Sequence, residues 1–184
     1  MKSRKIIAGV DEVGRGSLVG SVYSAAVILP DETSIDTIRD SKQLSEKKRI
    51  SISSNIVSQS KCVSIGIASK DEIDKINIHH ATLLSMKRAI NNLVIKPDLI
   101  LIDGLYTPDV DYKCESIVKG DTKVKEIAAA SIIAKVSRDN EMKFIHNKFK
   151  MYLFNKNKGY GTPKHIEAIK CYGKTIYHRN SFIK

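Results

Sequence analysis

KIIAGVDEVGRGSLVGSVYSAAVILP, residues 5–30, holds two apolar runs joined by a glycine-rich loop, with no helix between them. The first run, Lys5 to Val10, is rich in β-formers and ends in the acidic pair Asp11 and Glu12. The second, Ser21 to Pro30, reads as another strand stopped by its proline. An acidic pair closing an apolar strand has no obvious structural use. Adjacent strand residues point to opposite faces, so the two carboxylates share one site only if the strand bends or bulges.

Working outward, Ser45 is placed to cap a helix that begins SEKKRISISSNIV. Lys61 to Ser69 alternates Cys62, Ser64 and Gly66 with Val63, Ile65 and Ile67, the period of a third strand. Residues 70–93 carry Ile73, Ile76, His80, Leu83, Leu84 and Ile90 at helical spacing, with acids early and Lys87 and Arg88 late. Leu99 to Ile102 is a short apolar strand running into Asp103 and Gly104, suited to cover on both faces. SIVKGD, Ser116 to Asp121, reads as a fifth strand. A long helix follows in VKEIAAASIIAKVSRDNEMKFIHNKF, whose Ala128, Ala129, Ala130, Ser131 and Ala134 allow close approach to a sheet. The loop NKNKGYGTP, a helix from about Lys164 to Cys171 and the tail YHRNSFIK complete the chain. The first strands follow one another across a glycine loop, and the later ones alternate with helices. That order predicts an α/β fold with a mixed sheet. With no repeat or linker, residues 1–184 read as one domain, with 150–184 a C-terminal helical appendage.

The 184 residues are 42% hydrophobic, enough for a packed core, and 31 Lys plus Arg against 20 Asp plus Glu leave +11. That surplus favours a polyanionic partner such as nucleic acid. Cys62, Cys114 and Cys171 are far apart and form no CxxC pair, which argues against a zinc knuckle or disulfide framework and suits a reducing cytoplasm. The N-terminal residues do not resemble a signal peptide, and no apolar run reaches membrane-spanning length.

Asp11, Glu12, Asp103 and Asp121 all follow apolar runs, at the sheet edge where ligands of α/β folds collect. Grouped carboxylates repel unless a cation compensates them. Oxygen ligands without a His or Cys cluster point to Mg²⁺ or Mn²⁺ rather than zinc. A basic protein with such a centre can hold and cleave a phosphodiester backbone, using two ions about 3.5–4 Å apart. Taken alone, Asp121 also reads as a helix cap and Asp103-Gly104 as a turn. A non-catalytic nucleic-acid-binding module would explain the charge but not the carboxylates. A nucleotide-dependent enzyme is excluded by spacing, since the residue three after Gly16 is Val19 and no GK[ST] follows.

Together, AGVDEVGRGSLVG, DSKQLSEKKR, NIHHATLLSM, LIDG, KGDTKVKEIAAASIIAKVSRD, GYGTPKH and YHRNSF resemble ribonuclease HII, the type 2 ribonuclease H family, from about Ala8 to Phe182. The resemblance implies a ribonuclease H-like fold: a five-stranded mixed sheet flanked by helices, with a helical C-terminal segment. It implies two divalent ions, Mg²⁺ or Mn²⁺, held by Asp11, Glu12, Asp103 and Asp121. It implies cleavage of RNA in RNA–DNA hybrids, and cleavage 5′ of single ribonucleotides in duplex DNA, leaving 5′-phosphate and 3′-hydroxyl ends. Gly14, Arg15 and Gly16 match the loop that reads the ribose 2′-hydroxyl, Tyr160 matches the tyrosine that stacks on the junction sugar, and Ser41 and Lys42 match a phosphate-contacting segment. Lys119, Lys123, Arg138 and Lys164 are further candidates for backbone contact. A cytoplasmic monomer acting in ribonucleotide and RNA-primer removal is implied, with no membrane partner. His79, His80 and His165 take no catalytic role, and His80 is expected at the core face of its helix.

Overall fold

The computed structural model describes residues 5–31 and 45–183. Five strands form one sheet: β1 (Ile7–Val13), β2 (Val22–Ile28), β3 (Cys62–Ala68), β4 (Leu99–Asp103) and β5 (Cys114–Ile117), in the order β3-β2-β1-β4-β5. β2 runs antiparallel to both β1 and β3, whereas β1–β4 and β4–β5 are parallel, so the sheet is mixed as expected. The helices are α1 (Glu46–Gln59), α2 (Lys70–Asn91), α3 (Lys125–Lys148), α4 (Phe154–Asn157) and α5 (Pro163–Tyr172).

Helices cover both faces. Ala8, Val10, Ala26, Ile28, Ile100 and Ile102 pack against Met86, Ala89 and Ile90 of α2. On the other face, Ala25 and Val27 meet Ile56 of α1 and the alanine-rich turns of α3. In β3 the buried residues are the small ones, Cys62, Ser64, Gly66 and Ala68. Small side chains let α2 approach closely, while Val63 and Ile65 are half-buried on the α1 side. A third cluster joins Val19, Met142 and Ile145 to Tyr152, Phe154 and Ala168 of the C-terminal segment.

Local signals agree with several expected boundaries. The Ser45 hydroxyl accepts from the Lys48 N–H at 3.3 Å and caps α1. Two expectations are corrected. The 70–93 helix is broken at Asn77, which has φ 65°. Its Oδ1 accepts from the His79 and His80 N–H groups at 2.9 and 3.2 Å and starts a fresh helical phase. That reset leaves His80 exposed rather than on the core face. The fifth strand also ends earlier than SIVKGD suggested. Lys119 takes a left-handed φ of 56°, and Asp121 lies in a 3-10 turn, Gly120–Thr122, beyond the strand. Among the described residues, no helix is long and apolar enough to cross a membrane.

Candidate active site

β1 outruns its parallel neighbour. Its pairing with β4 stops at Val10 and Ile102, while its pairing with β2 continues through Asp11, Glu12 and Val13. The register with β2 is unbroken, so no bulge interrupts the strand there. The sheet simply ends there on the β4 side, and a cavity of about 290 Å³ opens, lined by Asp11, Glu12, Asp103, Arg49, Ser131 and Lys135 among others. Glu12 and Asp103 also border a smaller space on the α2 side, with Arg15, His79 and Tyr106. Glu12 therefore reaches the shared cavity from the opposite strand face because no neighbouring strand separates the two sides.

Asp11 is buried, accepting the Glu12 N–H on Oδ1 at 2.7 Å and a hydrogen bond from the Ser131 side chain. Burial pushes its carboxyl well above the ordinary range, and the charges of Glu12 and Asp103 push it further. Burial also raises Glu12, against the pull of Arg15, whose guanidinium lies 3.4 Å away. Asp103 Oδ1 accepts from the Gly120 N–H at 2.7 Å. That bond ties the end of β4 to the turn carrying Asp121, which is buried. Asp121 is thus adjacent to a partner of Asp103, but it does not line the cavity with the other three. Among the described residues, no group of three His, Cys, Asp or Glu side chains stands close enough to surround a single ion. By chemistry the donor set fits a hard divalent cation: carboxylate oxygens of one sign, crowded and partly desolvated, with no imidazole or thiolate lining the cavity.

Sequence reasoning missed the other wall. Lys135 donates to Asp139 Oδ1 at 2.5 Å, and Arg49 lies 3.9 Å from Asp139 Oδ2. One buried carboxylate therefore holds two cations at the rim of the acidic cavity. In a chain with 31 basic residues nothing local marks these two. Only the packing of α1 on α3 brings them together.

Gly14 to Gly16 form the turn after β1, with the Ser17 N–H donating to the Gly14 carbonyl at 3.3 Å. Tyr160 is partly exposed beside this turn, with the Arg138 guanidinium 5.6 Å from its ring centre. Arg138, expected among the surface cations, is fully buried, donating to Ser17 Oγ at 2.7 Å and to the Lys158 carbonyl at 2.9 Å. It braces loops and does not face solvent. Lys119, Lys123 and Lys164 are exposed. Ser41 and Lys42 lie outside the described residues.

Beneath Tyr160 two buried histidines meet, Nε2 to Nε2, at 3.2 Å. The Tyr160 carbonyl accepts from His165 Nδ1, and the Thr175 backbone N–H donates to His178 Nδ1, each at 2.8 Å. These partners assign the tautomers, so that His178 donates from Nε2 to His165. Burial holds both below the usual 6.5, His178 at about 4 with a contribution from His165. In acid the unfolded chain takes up protons that the folded pair resists. Stability is expected to fall as pH drops from 6.5 towards about 4, and to be independent of this pair above 6.5. Thermal melts across that range check it, and His178→Gln should flatten the slope.

The sequence model of the family described as Ribonuclease HII matches residues 8–184. Ribonuclease HII of Pelagibacter ubique (strain HTCC1062) is 53% identical over 179 residues, spanning 97% of this chain and 96% of the relative. The crystal structure of ribonuclease H2 from Pyrococcus horikoshii OT3 superposes with a TM-score of 0.79 at 26% identity, covering 95% of this chain and 92% of that one. The structure of Bst-RNase HIII in complex with Mn²⁺ shares the fold, with a TM-score of 0.75 at 20% identity over 92% of this chain and 63% of its own. With the family model matched along nearly the whole chain and a relative 53% identical over 97% of it, the chain belongs to the ribonuclease HII family, endonucleases of the ribonuclease H class.

Proposed function

We propose that this ribonuclease H cuts the RNA of RNA–DNA hybrids, and cuts 5′ of single ribonucleotides embedded in duplex DNA, leaving 5′-phosphate and 3′-hydroxyl ends. The observation that carries the reading is the cavity at the end of β1 and β4, where Asp11, Glu12 and Asp103 face one space and Asp11 is held protonation-prone by its burial and by the charges of the other two. Asp11, Glu12, Asp103 and Asp121 would hold two divalent ions, Mg²⁺ or Mn²⁺. When bound, such ions supply positive charge at the attacking water and at the leaving oxygen.

The chain's own residues do the positioning. Ser131 and the Glu12 amide orient Asp11, and the Gly120 amide orients Asp103. Lys135 and Arg49, aimed by Asp139, present positive charge to a phosphodiester entering the cavity. Gly14, Arg15 and Gly16 read the ribose, Tyr160 stacks on the junction sugar, and Ser41 and Lys42 hold a neighbouring phosphate. Residues 150–184 work with the rest as one catalytic domain, supported by the cluster joining Val19 and α3 to Phe154 and Ala168. The reading includes a cytoplasmic monomer serving ribonucleotide and primer removal. Three free cysteines fit a reducing compartment.

End-labelled mapping on a duplex with one ribonucleotide, with Mg²⁺, with Mn²⁺ and with neither, tests this directly. A single metal-dependent cut on the 5′ side of the ribonucleotide is expected. Cutting elsewhere would refute the junction specificity, and tight binding without product under either metal would refute catalysis.

A further inference from the structure

We propose that Arg179 is a positioning residue for ribose recognition: from the tail of the chain it sets the Arg15–Gly16 peptide so that the Gly16 N–H faces the substrate. This rests on the reading of Gly14 to Gly16 as the ribose contact. Arg179 is fully buried. Its Nη1 donates to the Arg15 carbonyl at 2.9 Å, Nε to the Gly20 carbonyl at 2.8 Å and Nη2 to the Ser21 carbonyl at 3.1 Å. All three acceptors are neutral. Among the described residues no carboxylate lies in ion-pair contact with Arg179; a guanidinium so buried is an expensive choice for filling space, and an apolar side chain would fill it more cheaply. What the guanidinium supplies is a rigid fork of donors that gathers three carbonyls of one loop.

The consequence for Gly16 follows from the planar trans peptide, in which C=O and N–H point in opposite directions. With the Arg15 carbonyl drawn inward to Arg179, the Gly16 N–H points outward. Gly16 is exposed, and among the described residues nothing accepts its N–H. Gly14 has internal reasons to be glycine, a φ of 96° and an Arg138 Nε that would lie 2.2 Å from an added Cβ. Gly16 has none, since its Cβ would meet only Tyr160 Cε1, at 3.9 Å. The free amide and the Tyr160 ring therefore border the same open space.

Arg179 is itself held in place. Its N–H donates to the Leu18 carbonyl at 2.8 Å, and the Gly20 N–H donates to the Tyr177 carbonyl at 2.9 Å, pairing the tail with the loop. Asp74 of α2 accepts from the Asn180 and Ser181 amides at 3.0 and 2.9 Å and anchors the next residues. The loop's ribose-reading edge is thus set by the last turn of the chain.

The test compares affinity for two matched duplexes, one all DNA and one with a single ribonucleotide, by competition in EDTA so that nothing is cut. Arg179→Met is expected to reduce the ribonucleotide preference roughly tenfold, the worth of one well-placed hydrogen bond, with all-DNA affinity unchanged. Arg179→Lys, which keeps the charge but cannot span three carbonyls, should recover part of it. A purely structural role would lower both affinities together, leaving their ratio intact, and that result would overturn the proposal. Gly16→Val examines the underlying reading separately and is expected to abolish the preference. If it does not, or if the wild type shows none, the ribose assignment itself fails. If Gly16→Val loses the preference while folded Arg179→Met keeps it, only the positioning role falls. Failure of both Arg179 variants to fold would assign the residue to stability and equally reject the proposal.

Discussion

Asp11→Asn is expected to lower cleavage by on the order of 10³-fold while duplex binding is kept or tightened. Asp11 is the buried member of the three carboxylates that share the cavity, held by the Ser131 side chain and the Glu12 amide. Asparagine keeps the size but not the charge, so the proposed two-ion site would lose one of its four carboxylates. Removing a negative charge near the phosphate path favours binding of a polyanion. The same substitution is expected to stabilise the metal-free protein. Burial, Glu12 and Asp103 raise the Asp11 carboxyl above its ordinary 3.8, so the folded state loses stability as pH climbs from that value. Asparagine suffers no such loss. The gain therefore grows as pH rises above 3.8 and vanishes below it. Single-turnover cleavage, filter binding and melts in EDTA measure the three effects. Full activity in the variant would remove Asp11 from the site.

Gly9→Ala is expected to destabilise the fold by about 3 kcal/mol, at the upper end of overpacking effects. A Cβ at position 9 would lie 2.1 Å from the Glu126 carbonyl carbon and 2.3 Å from the Ile127 nitrogen. Both are backbone atoms, so no side chain can swing aside, and the start of α3 must move off β1. At about 2–4 °C per kcal/mol for a chain of this size, the melting midpoint should fall by roughly 6–12 °C. The displacement also touches function, because the same helix carries Ser131 and Lys135 into the cavity. Cleavage below the new midpoint should therefore fall too. An unchanged midpoint would show that β1 and α3 are not in this close contact.

Much of this was legible in the chain. β3 was readable from its period of two, α1 from its Ser45 cap, and α3 from its alanine face. Asp11, Glu12 and Asp103 stood out because a carboxylate ending an apolar run is locally costly without a purpose. The break at Asn77 was not legible, since apolar residues continue at helical spacing on both sides of it. β5 was read too far along because Val118 and Lys119 do not look different from strand residues until Lys119 turns left-handed. Arg138 read as a candidate for contact with the nucleic-acid backbone, and the structure buries it completely.

By itself the sequence determined most of the elements, the mixed sheet and the three carboxylates, Asp11, Glu12 and Asp103, that line one cavity, because periodicity, caps and strand-end carboxylates are properties of neighbouring residues. The tertiary structure alone decided how Asp11 and Glu12 reach one cavity from opposite strand faces, which two of many cations stand across from them, and which arginine bonds the carbonyls of the glycine loop. Those outcomes depend on where β4 stops pairing and on which helix packs against which strand. The energies involved act between residues far apart in the chain, and no local pattern records them.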